Sequence, residues 1–305
     1  MLDVAVIIVS WNVCDYLRDC LTSVYAEVER SGLHVGVWVV DNQSQDGTLA
    51  MLANAFPQVH LIANNYNPGF GAANNQGMRA AEPELPRFYF LLNPDTVMQS
   101  DSLAALVDSL EKRPSSGMVG ARLVYGDGRF QHSAFAFPGL GQLLFDLFPL
   151  PARFYESRWN GRYPHEWYAK DHEPFPADFP LGASMLVRAA VAEQTGGFDE
   201  RFHMYCEEID WAWRIRKAGW HIVVNPAAEI VHFGGGSTRQ MPAQSLINLW
   251  QSRAQLYRLH QPRWRFLLAK WLVAAGMRRK ARLSDSPEIK AACKTIIRIW
   301  QKETA

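Results

Sequence analysis

The junction between the apolar run Phe88–Leu92 and the polar run 93–96 constrains the fold more than any other feature of this sequence. An apolar run bounded by turn residues is typical of a buried central strand, and Pro94 marks its end because proline cannot donate to a strand ladder. In an open α/β sheet, ligands bind outside the carboxyl ends of the strands. Asp95 therefore either holds an oxygen-preferring cation such as Mg²⁺ or Mn²⁺ beside a diphosphate, or makes a turn or helix cap.

Earlier strands end in the same way. Apolar segments at residues 4–9, 35–40 and 59–63 are each followed by polar residues and then by a helical pattern. These polar segments are Ser10-Trp11-Asn12, the run 41–47 that begins with Asp41, and the run 64–71 that contains Asn67, Gly69 and Phe70. Strands that alternate with helices predict a parallel sheet with right-handed crossovers. The polar segments should therefore meet at one edge of this sheet.

Composition excludes several classes of protein. The chain has 305 residues, of which 48% are hydrophobic, and its net charge of +1 gives no sign of nucleic-acid binding. Its four cysteines form no C-x-x-C pair, which indicates neither a zinc site nor a disulfide framework and fits a reducing compartment. The apolar amino terminus lacks a basic leader and predicts a first strand, and no apolar run is long enough to span a membrane.

Residues 126–180 lose the strand–helix rhythm and are rich in proline, arginine and aromatic residues. A long irregular stretch inside a compact domain is usually functional or mobile. Its aromatic side chains either pack the segment against the body or stack on the faces of sugars. Order returns with a predicted strand at residues 180–188, where Gly182 and Ala183 would let a ligand approach the backbone.

A helix that begins near residue 207 carries three carboxylates in its first turns, a position that the helix dipole favours. Asp210 and Arg214 are four residues apart and can form an ion pair, which suggests a structural role for Asp210. Glu208 shares a helical face with Trp211 and Ile215, so it is either a partly desolvated general base or a solvated N-terminal glutamate.

Two further segments each allow two interpretations. His232 heads a glycine run, residues 234–236, followed by Ser237 and Thr238; the run could cradle phosphate, and the histidine is either a metal ligand or structural. Residues 245–300 are helical in pattern, and residues 262–282 mix tryptophan and leucine with arginine and lysine. This basic amphipathic segment either lies on an anionic membrane surface or packs on the catalytic domain.

Seven motifs occur in an order that resembles family 2 of the inverting glycosyltransferases, and the bacterial rhamnosyltransferase-like branch above all. They are Ser10-Trp11-Asn12, the Asp41-Asn42-x-Ser-x-Asp-Gly run, Asn67-Pro68-Gly69-Phe70-Gly71, Asn93-Pro94-Asp95, Gly196-Gly197-Phe198-Asp199-Glu200, Glu207-Glu208-x-Asp210 and His232-x-Gly-Gly-Gly-Ser. The resemblance covers about residues 3–240. It implies the GT-A fold, an α/β fold with a mostly parallel central sheet flanked by helices. The nucleotide-binding half would be residues 1–125, the acceptor-side half 126–240 and a helical extension 241–305.

The resemblance also implies a role for each matching residue. The nucleotide would be bound by Ser10, Trp11, Asn12, Asp41, Asn67, Gly69, Phe70, Asn74, Asn93 and Asp95. A divalent cation, Mg²⁺ or Mn²⁺, would be held by Asp95 and His232. The catalytic carboxylates would be Glu208, Asp210 and Glu207, with either Glu207 or Glu208 as the base. The chain departs from the family pattern twice: Asn93 replaces the first aspartate of a D-x-D element, and Glu208 replaces the usual catalytic aspartate.

The expected protein is thus a metal-dependent transferase that moves rhamnose from dTDP-rhamnose, or a hexose from a UDP-sugar, to a lipid-linked or polymeric cell-surface saccharide. It would be cytoplasmic, with peripheral membrane contact through residues 262–282 and no nucleic-acid partner. A catalytically inactive sugar-nucleotide-binding subunit of a glycan assembly complex is one alternative. A sugar nucleotidyltransferase is another, but Ser10-Trp11-Asn12 lacks the glycine-rich, basic activation loop that it would need.

Overall fold

A computed structural model describes residues 1–234 and 242–303. Strands and helices alternate from the amino terminus, as predicted. The strands are β1 (Val4–Ser10), β2 (Val35–Asp41), β3 (His60–Ala63), β4 (Phe88–Leu92), β5 (Thr96–Met98), β6 (Ser116–Val124), β7 (Phe130–Gln131), β8 (Ala134–Phe135), β9 (Phe175–Pro176), β10 (Phe179–Pro180), β11 (Ser184–Arg188) and β12 (His221–His232). The helices are α1 (Cys14–Ser31), α2 (Thr48–Ala55), α3 (Phe70–Ala81), α4 (Ser102–Glu111), α5 (Leu140–Leu147), α6 (Ala189–Thr195), α7 (Glu207–Lys217), α8 (Pro242–His260), α9 (Arg263–Leu283) and α10 (Pro287–Lys302).

The main sheet has the strand order β3-β2-β1-β4-β11-β6-β12-β5. Strands β3, β2, β1 and β4 are parallel, and so are β6 and β12, which confirms the predicted α/β fold. Strand β11 lies antiparallel between β4 and β6, which is compatible with the mostly parallel sheet that was predicted. The chain returns from β6 to β11 through the irregular segment 126–180, and antiparallel neighbours do not need the crossover helix that parallel strands require.

Both faces of the central parallel strands are buried, as is usual for parallel sheets. Strand β1 shows how: Val4, Val6 and Ile8 join one apolar core with side chains of α1 and α4. Ala5 and Ile7 point to the other face and join a second core that includes Trp211. The sheet is therefore a rigid support whose carboxyl edge holds the polar residues that follow each strand.

The predicted helical tail is confirmed by α8, α9 and α10. These helices share an apolar core in which Trp250, Phe266 and Trp300 are buried, and Leu143 and Leu147 of α5 belong to the same core. The proposed boundary between residues 240 and 241 lies outside the described residues and stays a prediction. In the described ranges, no helix is both long and apolar enough to cross a lipid bilayer.

Some aromatic side chains of the irregular segment 126–180 are buried, and others are exposed. Tyr163 and Tyr168 are buried in a small core with Phe175, so they pack the segment against the body. Trp159 is 76% exposed, and Phe154 and Tyr155 are also exposed. Packing therefore accounts for some of these aromatic side chains and leaves others at the surface.

Candidate active site

The ends of β1 and β2 lie side by side and fix two predicted nucleotide-binding loops. Ser10 and Asp41 are partners in the parallel register, and both are buried. The loop after β2 is fastened to the loop after β1, because Asn12 Oδ1 accepts from the Gln45 N–H at 2.7 Å and Ser44 Oγ accepts from the Asn12 N–H at 2.9 Å.

Two atoms at these strand ends suggest a place for a ligand. Asp41 Oδ2 accepts from the Ser44 N–H at 2.8 Å, whereas Asp41 Oδ1 and Ser10 Oγ are buried without a hydrogen-bond partner among the described residues. Buried polar groups are normally paired, so unpaired ones call for an explanation such as an absent ligand or water.

The start of α3 is held against the segment that precedes α7. Gly69 has φ +95°, and a Cβ there would lie 2.2 Å from the carbonyl oxygen of His203. The Phe70 N–H donates to that same oxygen at 3.1 Å. Asn67 Oδ1 accepts from the Gly69 N–H at 2.9 Å and so fixes the turn. Glycine is needed here because only glycine allows this backbone conformation and this close approach.

Asn74 is one of five predicted nucleotide-binding residues that do not line the cleft described below; the others are Ser10, Asn12, Asp41 and Gly69. Asn74 is buried in α3, and its Nδ2 donates to the Phe70 carbonyl oxygen at 3.0 Å. Its interaction stabilises the first turn of α3, and its direct contact with a nucleotide stays a prediction.

Asp95 and His232 meet because β5 and β12 are antiparallel neighbours with His232 opposite Thr96. Asp95 Oδ1 lies 3.5 Å from His232 Nε2, and His232 Nδ1 lies 3.2 Å from Gln131 Oε1. Asn93 Oδ1 is buried nearby without a partner among the described residues. The glycines and hydroxyls of the predicted phosphate cradle, Gly235, Gly236, Ser237 and Thr238, lie outside the described residues.

The residues at this edge fit a divalent cation that is bound together with a substrate. Within residues 1–234 and 242–303, no group of three or more histidine, cysteine or acidic side chains is placed to hold a metal ion alone. Mg²⁺ usually takes one or two carboxylates, with substrate phosphates and water completing its shell. Asp95, His232 and the unpaired Asn93 Oδ1 provide such an incomplete set.

Helix α7 brings two adjacent carboxylates to the same cleft. Burial, followed by the charge of Glu208, raises the pKa of Glu207 well above its ordinary value, and Glu207 Oε2 has no partner among the described residues. Burial also raises the pKa of the half-buried Glu208 to about 7.

Both residues before the helix, Tyr205 and Cys206, have positive φ angles of 70° and 67°. Such backbone strain clusters at functional sites.

Asp210 points away from this cleft and fastens α7 to its surroundings. Its predicted ion pair is confirmed, with Arg214 Nε donating to Asp210 Oδ2 at 2.8 Å. Its other oxygen lies 2.7 Å from His260 Nε2 of α8. Arg214 in turn donates to the carbonyl oxygens of Thr195 and Gly197. Asp210 thus ties α7 to two other parts of the chain.

Most of the predicted residues line one open cleft with a volume of about 320 Å³. The predicted residues in its lining are Trp11, Asn67, Phe70, Asn93, Asp95, Glu207, Glu208 and His232, together with Gly182 and Ala183. The lining also includes residues to which sequence reasoning assigned no role: Val9, Val13, Asn42, Leu181, Met204 and Tyr205. Adjacency to Asp41 and Gly182 could have indicated Asn42 and Leu181. No local pattern indicates Met204 or Tyr205.

Known proteins resemble this chain in sequence and in fold. The sequence profile of glycosyl transferase family 2 matches residues 5–165. N-acetylglucosaminyl-diphospho-decaprenol L-rhamnosyltransferase of Mycobacterium tuberculosis is 32% identical over 251 residues, which are 79% of this chain and 79% of that protein. Rhamnosyltransferase WbbL of Escherichia coli K12 is 26% identical over 241 residues, which are 77% of this chain and 85% of that protein.

One solved structure extends the likeness to nearly the whole chain. Mannosyltransferase PcManGT from Pyrobaculum calidifontis, in complex with GDP-Man and Mn²⁺, superposes with a TM-score of 0.60 at 15% identity. The superposition covers 99% of this chain and 88% of that one. At this identity the likeness shows the fold alone.

Proposed function

Since the chain belongs to glycosyl transferase family 2 and has the GT-A fold, we propose that it is an inverting, metal-dependent rhamnosyltransferase. The proposed donor is dTDP-rhamnose, with a UDP-hexose as the second choice. The proposed acceptor is a hydroxyl group of a lipid-linked or growing cell-surface saccharide. The observation that carries the proposal is a single cleft that contains both the Asp95–His232 pair and the Glu207–Glu208 pair.

The sheet edge would bind the donor. Ser10, Asp41 and Asn67 would contact the nucleoside; Ser10 Oγ and Asp41 Oδ1 are buried and have no hydrogen-bond partner among the described residues. Asp95 and His232, with Asn93 Oδ1, would hold a divalent cation, which when bound neutralises the leaving diphosphate. The chain would accordingly divide into a nucleotide-binding half, residues 1–125, an acceptor-side half, 126–240, and an extension, 241–305.

Glu208 would act as the general base. It removes the proton from the acceptor hydroxyl, whose oxygen forms the new bond to the anomeric carbon as the bond to the diphosphate breaks on the opposite face. A pKa of about 7 suits this step, because the group is partly ionised at neutral pH and can still take up a proton. Glu207 is more deeply buried and its pKa is raised well above its usual value. It would therefore stay protonated, and Glu208 would carry the charge of the pair.

Asp210 would act as a positioning residue and not as a catalytic one. Both of its oxygens are engaged, one with Arg214 and one with His260. Trp213 of the same helix stacks on His260 with ring centroids 4.6 Å apart. These contacts fix the direction of α7, and they would thereby fix where the carboxylates of Glu207 and Glu208 lie.

The names of the relatives support the proposed substrates. Two of them are named rhamnosyltransferases, and the name of the mycobacterial protein specifies a sugar linked through a diphosphate to a polyprenol. A glycosylated diphosphate lipid is therefore the proposed acceptor for this chain. Such a lipid lies in the cytoplasmic membrane, so the protein would work from the cytoplasm at the inner face of that membrane.

Helix α9 offers a surface for that contact. Trp264, Leu267, Leu268 and Trp271 repeat at helical spacing on one face, and Trp271 is 77% exposed. The helix contains no acidic residue and ends in a basic run, Arg278-Arg279-Lys280. Exposed tryptophan and leucine beside basic residues match the requirements of a helix that lies on an anionic bilayer.

Vesicle binding tests the membrane contact. The double variant W264A/W271A should lose most of its cofractionation with vesicles that contain phosphatidylglycerol, because the two indoles supply much of the exposed apolar area. Trp159→Ala is the matched control, since Trp159 is 76% exposed but lies outside α9. Equal binding by the double variant and the control would contradict the assignment.

A thermal-shift panel tests the proposed donor. The protein is melted with dTDP, UDP, GDP and their sugars, each with and without Mn²⁺. A ligand that binds only the folded state stabilises it by up to about 2.7 kcal/mol at a hundredfold excess over Kd. We expect the largest shift with dTDP species and Mn²⁺ together. No shift with any nucleotide would contradict a donor site at the sheet edge.

A further inference from the structure

A second cleft adjoins the proposed active site. It has a volume of about 890 Å³, and its lining includes Phe130, Phe135, Arg158 and Arg162 of the irregular segment. Leu181 lines both clefts. Gln131 also lines the second cleft, and its Oε1 lies 3.2 Å from Nδ1 of His232, which lines the first. A molecule in the second cleft can therefore extend toward the reacting end of the first.

Arg162 is the unusual residue of this second cleft. It is half-buried, and its Cζ lies 4.6 Å from the centroid of the Phe135 ring. Burial lowers the pKa of its guanidinium, so the surroundings disfavour its charge. The guanidinium forms no hydrogen bond or ion pair with any residue in the described part of the chain.

Other arginines of similar burial behave differently. Within the described ranges, each of the other half-buried arginines holds a carboxylate or a carbonyl oxygen. They are Arg113, Arg122, Arg188, Arg214 and Arg253. A charge taken partly out of water without a partner costs free energy. Among these half-buried arginines of the described ranges, Arg162 is therefore the one whose charge no carboxylate or carbonyl oxygen of the chain holds.

None of the other charged groups of the second cleft forms an ion pair or a hydrogen bond with Arg162 in the described chain, although the charge of Glu156 favours the charged form of its guanidinium. Glu156 Oε2 lies 2.5 Å from His132 Nε2, so this carboxylate is engaged by the histidine. Glu166 and His165 lie at the exposed part of the lining, and so does Arg158, a second cation. His132 Nδ1 is buried and has no partner among the described residues. The cleft thus offers a guanidinium and a ring nitrogen that nothing in the described chain satisfies.

We propose that the second cleft binds the acceptor and that Arg162 holds a phosphate group of that acceptor. A guanidinium presents a planar fork of N–H donors that matches phosphate oxygens in a bidentate arrangement. The acceptor is then a saccharide that carries a phosphate or diphosphate close to the sugar that receives the new residue. This inference rests on the proposed function, and it makes Arg162 a determinant of acceptor specificity.

Calorimetric titration tests the assignment without requiring catalysis. The donor site is first saturated with dTDP and Mn²⁺. Two probes are then titrated: N-acetylglucosamine linked to a short alkyl chain through a diphosphate, and the alkyl N-acetylglucosaminide without phosphate. The proteins are the wild type, Arg162→Gln and the matched control Arg153→Gln. Arg153 also lies over an aromatic ring, Phe154, at 4.8 Å, but it lines neither cleft.

We expect the wild type and R153Q to bind the diphosphate probe at least about tenfold more tightly than the glycoside. R162Q should lose this preference and bind the glycoside as the wild type does. Its melting temperature should change little, because the substitution breaks no hydrogen bond or ion pair of the described chain and loses only the weak cation–π contact with Phe135. Arg162→Lys keeps the charge but loses the fork, so it should retain part of the preference and serves as the second variant. A preference retained by R162Q, or absent from the wild type, would overturn the inference.

Transfer from dTDP-rhamnose to the diphosphate probe is measured separately. Binding with the expected preference but no transfer would contradict the proposed function and leave the phosphate site standing. Transfer by the wild type, with R162Q indistinguishable from R153Q, would contradict the phosphate site alone.

Discussion

The sheet edge and helix α7 supply the two sides of the same cleft, and they are built by different physical means. At the sheet edge, each polar residue follows a strand and is held by turn contacts, as Asn12 and Asp41 are held by the 41–47 loop. On α7, Glu207 and Glu208 are adjacent in sequence, and burial by distant parts of the chain raises the pKa of both. In the proposed mechanism the first side binds the donor and the second performs proton transfer.

Replacing Asp95 should produce the largest effect on the donor side. Asp95→Asn removes the carboxylate beside His232, so kcat/KM for transfer should fall by roughly 10²–10³ and the Mn²⁺-dependent stabilisation by dTDP should disappear. Steady-state kinetics and thermal shift measure the two effects. Asp127→Asn, in an exposed turn, is the control. If D95N still binds dTDP in a Mn²⁺-dependent way, the assignment of donor binding to Asp95 at the sheet edge is contradicted.

Asp210 tests how α7 is held. Asp210→Asn breaks the buried pair with Arg214 and weakens the contact to His260, so the free energy of unfolding should fall by about 3 kcal/mol. Denaturant titration measures this loss. Asp108→Asn is the control, since Asp108 and Lys112 form an exposed pair whose loss should cost well under 1 kcal/mol. Equal losses in the two variants would show that Asp210 does not anchor the helix.

Gly69 tests the junction of the two sides. Gly69→Ala places a Cβ 2.2 Å from the His203 carbonyl oxygen at φ +95°, so it should lower the free energy of unfolding by about 2 kcal/mol and raise KM for the donor. Gly128→Ala shares a positive φ of +80° but meets no atom within 4 Å, so only the backbone strain of about 1 kcal/mol remains. A G69A protein no less stable than G128A would contradict the close approach.

The pH dependence of the transfer rate should be the smallest of these effects, and it should arise from the titration of Glu208 on α7. With a Glu208 pKa of about 7, transfer should slow roughly fivefold between pH 7 and pH 6, because the base becomes protonated. Because burial raises the pKa of Glu208 in the folded state, this residue makes its full favourable contribution to the free energy of unfolding below about pH 4.5. That contribution is lost as the pH rises through about 7. Glu208→Gln should remove this loss. A flat rate profile between pH 6 and 7 would argue against Glu208 as the base.

Local pattern was sufficient for the sheet edge but not for the rest of the molecule. The polar runs after β1, β2 and β4 could be placed from strand periodicity and turn residues, and the Asp210–Arg214 pair from helical spacing. The second partner of Asp210, His260, lies fifty residues away in the chain. Strand β11 is antiparallel, and the guanidinium of Arg162 lies in a cleft without a hydrogen-bond partner among the described residues, for reasons that arise from long-range packing of segment 126–180. No short window of sequence contains that information.

The most direct test of the account is the transfer rate of Glu208→Gln, measured beside its binding of dTDP with Mn²⁺. We expect kcat to fall by roughly 10²–10⁴, because the amide cannot accept the acceptor's proton, while the nucleotide-induced thermal shift stays that of the wild type. Transfer at the wild-type rate by a variant that still binds dTDP would contradict the account, and the base would have to be sought elsewhere in the cleft.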